Sequence, residues 1–112
     1  MNHALGVVER LSLRHKVQNI MLQMGLIDWM CNILKDFYNL KKYTLEYLTA
    51  MLMNLALRTE GRKRCEVWKK ELLTTLKALL DNEGEQMKTY VNGTLYSLFA
   101  CTPIKLEARV EF

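Results

Sequence analysis

Val8-Glu9-Arg10-Leu11-Ser12-Leu13-Arg14, Leu52-Met53-Asn54-Leu55-Ala56-Leu57-Arg58 and Leu95-Tyr96-Ser97-Leu98-Phe99-Ala100-Cys101 are three versions of one pattern. With Arg10, Asn54 and Ser97 set equivalent, the pattern returns after 44 and then 43 residues. A period in the forties is that of helical solenoids built from two or three helices per unit. The equivalence extends backward through Ala4, Leu48 and Val91, then Val8, Leu52 and Leu95, then Leu11, Leu55 and Leu98. Steps of four and three put each set on one helical stripe, the face that must be buried.

Two further helices fit between successive stripes. Lys16 to Met24 reads as one, Gly25 as a break, and Leu26 to Asp36 as the next. Gly25 can adopt the left-handed backbone that ends one helix and turns the chain into another. Leu26, Ile27, Met30, Ile33 and Leu34 then recur at helical spacing, and Leu72, Leu73, Leu76, Leu79 and Leu80 repeat them 46 residues later. A short helix from about Arg62 to Lys70 precedes that second stripe, and Asp81-Asn82-Glu83-Gly84 supplies turn residues before the third long helix. Thr102 is a helix-capping residue and Pro103 is tolerated in a first turn, so another helix starts there.

The expected architecture is all-α: about two and a half units of an armadillo/HEAT-like right-handed helical solenoid in a single repeat region, 1–112. Residues 1–14 are the third helix of a preceding repeat, 15–58 and 59–101 are repeats, and 102–112 open a further one. Neither end reads as the polar cap a finished solenoid needs. The chain is therefore expected to be a slice of a longer array, able to self-associate through neighbouring repeats.

Composition agrees. Half the residues are hydrophobic and a quarter charged, enough for a packed core and against disorder. Five glycines and one proline in 112 residues argue against a barrel or sandwich full of tight turns. No apolar run reaches the length of a membrane span, and no secretory signal opens the chain. Cys31, Cys65 and Cys101 lie 34 and 36 residues apart with no CxxC half-site, which reads as thiols in a reducing compartment. His3 and His15 cannot complete a metal site with such scattered partners. The methionines, among them Met21, Met24, Met30, Met51 and Met53, fall on apolar stripes and read as gap-filling core. Catalysis has no support: Ser12 and Ser97 lack a nucleophile elbow, no glycine loop cradles phosphate, and the acidic residues are single. No cofactor is implied.

The net charge of +4 is concentrated in Arg58, Arg62, Lys63, Arg64, Lys69 and Lys70. These sit where one helix ends and the next begins, where cations complement the helix dipole. The alternative is a helical-repeat nucleic-acid binder, for which four phosphate contacts would give a salt slope of roughly −3 to −4.

The long helix closing on Leu52-Met53-Asn54-Leu55-Ala56, the short helix, the glycine and the apolar second helix together resemble armadillo repeats. In that family an asparagine of the third helix lines the concave groove and binds the main chain of an extended peptide; Asn54 matches it, while Arg10 and Ser97 take the equivalent places. The family's groove tryptophan, four residues earlier, is replaced by Gly6, Ala50 and Gly93. Gly25-Leu26-Ile27-Asp28-Trp29, Tyr43-Thr44-Leu45-Glu46-Tyr47 and Tyr90-Val91-Asn92-Gly93-Thr94-Leu95-Tyr96-Ser97 are similar to the LisH-containing armadillo-repeat proteins of ciliary basal bodies. That resemblance implies a scaffold of the cilium, basal body or centrosome, cytoplasmic rather than membrane-inserted, with protein partners.

In such a stack the third helices lie side by side and form the inner surface. The small residues Gly6, Ala50 and Gly93 then stand beside Arg10, Asn54 and Ser97, with His3, Tyr47 and Tyr90 on one side and Arg14 and Arg58 on the other. Arg10, Arg14, Tyr47, Asn54, Arg58, Tyr90 and Ser97 are the candidate partner-binding residues. The small residues either admit a partner's backbone or let the third helices pack closely. Trp29 is expected in the core. Trp68, flanked by Glu66, Lys69 and Lys70, is open between an interface anchor and a ring covered by lysine stems.

Overall fold

A computed structural model of the chain describes residues 2–11, 14–82 and 84–111. Ser12 and Leu13, and the side chains of His3, Val8 and Leu11, lie outside the described part; Ala4, the first member of its stripe, is exposed rather than buried. Among the described residues the structure is helical throughout. In order come α1 (Asn2–Leu11), α2 (His15–Gln23), α3 (Leu26–Leu34), a 3-10 turn at Phe37–Asn39, α4 (Lys42–Leu55), α5 (Thr59–Glu66), α6 (Lys69–Asn82), α7 (Glu85–Leu98) and α8 (Thr102–Glu111).

The helices are placed by their apolar stripes. Leu48, Leu52 and Leu55 of α4 and Val91, Leu95 and Leu98 of α7 are all buried. So are Ile27, Met30 and Leu34 of α3 and Leu72, Leu73, Leu76 and Leu79 of α6. Fully burying each such side chain is worth about 2 kcal/mol, which no single amphipathic helix could collect alone. The helices collect it by stacking. α4 packs most extensively on α7 and next on α1, making a row of third helices. Behind it, α3 packs on α4 and α6, and α6 on α7, while α2, α5 and α8 pack against that second row. The chain is a helical solenoid fragment.

Local chemistry explains the junctions. Gly25 is left-handed, with φ 74°, and its N–H donates to the Leu22 carbonyl at 3.2 Å, so α2 stops at Gln23 and α3 starts at Leu26, with only two residues between them. The short helix after α4 begins at Thr59 rather than near Arg62, and Val67 and Trp68 form the turn into α6 instead of continuing it. A start before Gly61 runs against glycine's poor helix propensity. Packing decides otherwise, because the Cα of Gly61 lies against the end of α4: a methyl there would overlap the Leu55 carbonyl oxygen and sit 2.9 Å from the carbonyl carbon. Arg62 is then one turn inside α5, and its guanidinium donates back to the carbonyls of Ala56 and Leu57 at 2.9 and 3.0 Å. Those are acceptors a helix C-terminus leaves open, at the end where a cation is favoured.

Two expectations for the core fail. Met24 is 78% exposed at the end of α2, and Trp29 is 45% exposed on α3. Met21, Met30, Met51 and Met87 are buried, and Met53 is half-buried.

Candidate protein-interaction surface

The surface in question is the solvent-facing side of the row α1, α4 and α7, the inner surface expected of such a stack. Neighbouring third helices meet through one small residue and one long one. Tyr47 of α4 lies over Gly6 of α1, where an added methyl would stand 3.6 Å from the ring. Met53 of α4 lies over Gly93 of α7, where an added methyl would be 2.7 Å from its sulfur. Ala50, between Tyr47 and Met53 on α4, is buried. The small residues therefore hold intramolecular side chains, so close packing of the third helices accounts for them.

The candidate residues separate by burial. Arg10 and Arg14 are exposed, and Tyr47 and Tyr90 are half-buried. The Tyr90 hydroxyl accepts a hydrogen bond from Gln86 Nε2 at 2.7 Å, one turn earlier on α7. Asn54 is 3% exposed and Ser97 8%, so both lie at the floor of the surface rather than on it. Arg58 turns away to α2, donating to Asn19 Oδ1 at 2.8 Å, Gln18 Oε1 at 3.3 Å and the His15 carbonyl at 3.4 Å. It holds the buried Gln18 in place and ties the start of one unit to the end of its long helix. Sequence inspection passed over Tyr43. It is exposed, one turn before Tyr47 on the same face of α4, and the i, i+4 spacing was the available signal.

The basic cluster is drawn into the same kind of internal work. Arg58 and Arg62 bond α2 and the end of α4 as described. Arg64 Nε donates to Asp28 Oδ2 at 2.7 Å, and Trp68 Nε1 donates to Asp28 Oδ1 at 2.7 Å. Asp28 on α3 thus receives both a cation and an indole from the following unit. The Arg64 hydrogen bond holds its carboxyl below the ordinary carboxylate range, reinforced by Trp68 and by the guanidinium charge, against a desolvation cost that acts the other way. Three arginines of the six-residue cluster therefore have intramolecular partners, and Lys63 and Lys70 are its exposed remainder. Trp68 is a half-buried hydrogen-bond donor between layers.

The cysteines are free thiols. Cys31 and Cys65 are buried, and Cys101 is half-buried with its sulfur 3.7 Å from Glu66 Oε2. Burial pushes the Cys65 thiol up to about 12 and raises that of Cys31 as well. No helix among the described residues is long and apolar enough to cross a membrane.

Comparison with known proteins places this geometry in a family. The family model described as LisH domain-containing protein ARMC9, ARM repeats, matches residues 21–111. The protein named LisH domain-containing protein ARMC9 from Danio rerio is 43% identical over 107 residues, 96% of this chain. The Homo sapiens protein of that name is likewise 43% identical over 107 residues, and the Xenopus laevis one 43% over 105. The chain spans about 13% of the length of these relatives. No solved structure matches it. The 44- and 43-residue period, the stacked third helices and the match across residues 21–111 converge, and the chain belongs to the armadillo-repeat family of the LisH domain-containing ARMC9 proteins.

Proposed function

We propose that the chain is a non-catalytic protein-binding segment of a scaffold that works at the cilium, its basal body or the centrosome. The repeat units are 15–58 and 59–101, flanked by the third helix of one unit at 1–14 and the start of another at 102–112. The binding surface is the concave inner side formed by α1, α4 and α7. Tyr47 and Tyr90 supply aromatic area with a polar tip, Arg10 and Arg14 supply charge at one end, and Asn54, Ser97 and Arg58 keep the floor and edge in shape.

The observation that carries this reading is the row itself. Three long helices lie side by side, with half-buried tyrosines at equivalent positions of α4 and α7. Amphipathic rings of that kind give contact area at small entropic cost, which suits a protein partner. The arginines committed to Asp28, to α2 and to the end of α4 favour this over the nucleic-acid alternative.

Affinity capture from ciliated cells, comparing the natural chain with Tyr47→Ala plus Tyr90→Ala, tests the surface. Proteins lost from the double variant but retained by a Lys63→Glu control support it; an unchanged set rejects these residues. Tagged protein spread evenly through the cytoplasm, with no enrichment at the basal body, would reject the ciliary part.

A further inference from the structure

The corner between α3 and α4 is longer than its counterpart one unit on. Leu34 and Leu48 are 14 residues apart, and their equivalents Leu80 and Val91 only 11, so this corner carries three residues that the other lacks. A 3-10 turn, Phe37–Asn39, takes up the extra length. Phe37 is buried and anchors the turn, Asn39 Nδ2 donates to Asp36 Oδ1 at 3.1 Å, and the Leu40 N–H donates to the Phe37 carbonyl at 3.1 Å. The addition is a fixed platform, and what it holds out is Tyr38, 80% exposed, with its ring centroid 4.1 Å from that of Phe37. In repeat arrays such insertions map to loops on one face, often the face that binds.

Charge surrounds that ring. Lys35, Lys41 and Lys42 are exposed, Tyr43 follows at 63% exposed, and none of the three lysines has an ion-pair partner among the described residues. The one acidic residue between Lys35 and Tyr43 is Asp36, whose carboxylate accepts from Asn39. The corner thus differs from the cluster at 58–70, whose arginines are bound within the fold. Lysines without partners stay hydrated, so this corner faces solvent whatever units flank it. The equivalent corner of the next unit has the opposite sign, with Asp81 and Glu85 exposed. A membrane surface or a nucleic-acid backbone, anionic over a broad area, would be repelled there. Three lysines also fall short of the roughly four to eight cations that hold a protein on an anionic membrane.

We propose that this corner docks a short acidic segment of a partner protein, with its carboxylates on Lys35, Lys41 and Lys42 and an apolar side chain against Tyr38 and Tyr43. Tyrosine rings give amphipathic contact area, and lysines are point charges on flexible stems that meet carboxylates without a fixed geometry. The change of sign one corner on keeps the acidic stretch short. The proposal does not depend on the Tyr47 and Tyr90 surface, which starts one turn further along α4.

The test is fluorescence anisotropy on the 112-residue chain. The probes are a labelled short peptide of glutamates around one phenylalanine and the same peptide with glutamine for glutamate. The glutamate peptide is expected to bind, more weakly as salt rises, and the glutamine peptide about tenfold more weakly or worse. Lys41→Glu plus Lys42→Glu should weaken the glutamate peptide by about tenfold or more, and Tyr38→Ala should weaken it while leaving the salt dependence in place. Lys63→Glu plus Lys70→Glu makes the same change in net charge on α5 and α6 and should bind as the natural chain does. All these side chains are exposed, so circular dichroism should show the helices intact. Tyr47→Ala plus Tyr90→Ala should also bind normally, which separates this corner from the surface beside it. No binding of the glutamate peptide overturns the proposal, and so does equal loss in the two lysine double variants, which would mean diffuse attraction to net charge. Binding to phosphatidylserine vesicles but not to the peptide, lost in Lys41→Glu plus Lys42→Glu, overturns it in favour of a membrane surface.

Discussion

Gly61 and Gly25 show two different reasons for a residue without a side chain. Gly61 sits in an ordinary helix, and what excludes a methyl is the backbone of Leu55, which cannot yield as a side-chain end could. Gly61→Ala should therefore force α5 off the end of α4 and lower stability by about 1–3 kcal/mol, the usual cost of overpacking, as read by urea denaturation. Gly93→Ala meets only the flexible end of Met53 and should cost clearly less; equal losses would contradict the assignment of Gly61 to backbone contact. At Gly25 an added methyl would meet only Asp28 Oδ2, at an ordinary 3.8 Å, and the conformation is the constraint, so Gly25→Ala should cost about 1–2 kcal/mol from the left-handed backbone alone. The thiols divide in a similar way. Cys31 and Cys65 are both shut off from solvent and held protonated by burial, while Cys101 is partly open. With iodoacetamide at pH 8, one thiol per native chain should react readily, identified as Cys101 by peptide mapping, and the other two only after unfolding. Modification of Cys65 in the native chain at the rate of Cys101 would rule out the buried placement.

At the scale of helices, the long stripes were legible because each is a local pattern: three to four residues between apolar positions suffice to say which face of α3, α4, α6 or α7 is inward. Short α5 was misplaced because its start is fixed by Gly61 against Leu55 and by Arg62 reaching the carbonyls of α4, contacts no periodicity encodes. The candidate surface was legible to the same extent. Spacing put Tyr47, Asn54, Tyr90 and Ser97 on one side of their helices, but the burial of Asn54 and Ser97 depends on what the adjacent helices lay over them. The basic cluster was misleading for the same reason, since the partners of Arg58 and Arg64 stand 36 to 43 residues away in sequence. Asp28 is the clearest of these long-range ties. Its carboxylate is 29% exposed, so screening limits the ion pair, and Asp28→Asn should cost about 1 kcal/mol through both hydrogen bonds. The pH dependence has a definite sign. A folded carboxyl held below its unfolded range stabilises fully above that range and loses its contribution as pH falls through the folded value, so the effect should fade below about pH 4. Natural chain and Asp28→Asn should converge in thermal midpoint on acidification; a difference that widens would mean Asp28 is not the charged partner of Arg64.

For the whole molecule, stacking means that each layer is stable only because of the next. α4 occupies the central position, packing on α1, α3 and α7 at once, and Leu52 is fully enclosed at its middle. Leu52→Ala leaves a cavity between layers and should cost about 2–5 kcal/mol, a large part of what a chain this size has to spare. The distribution of that loss is more informative than its size. In a stack with nearest-neighbour coupling, weakening the middle layer removes the support of both flanks, so amide exchange should accelerate in α1 and α7 along with α4. α8 packs chiefly on α6, with Ile104 buried, so its exchange should rise later and less. A matched lesion at the edge, Ile104→Ala, should loosen α8 and leave α1 near its natural protection, since two layers intervene. Exchange that rises uniformly in both variants would mean that the helices unfold as one unit, and the layer would then not be the unit of stability.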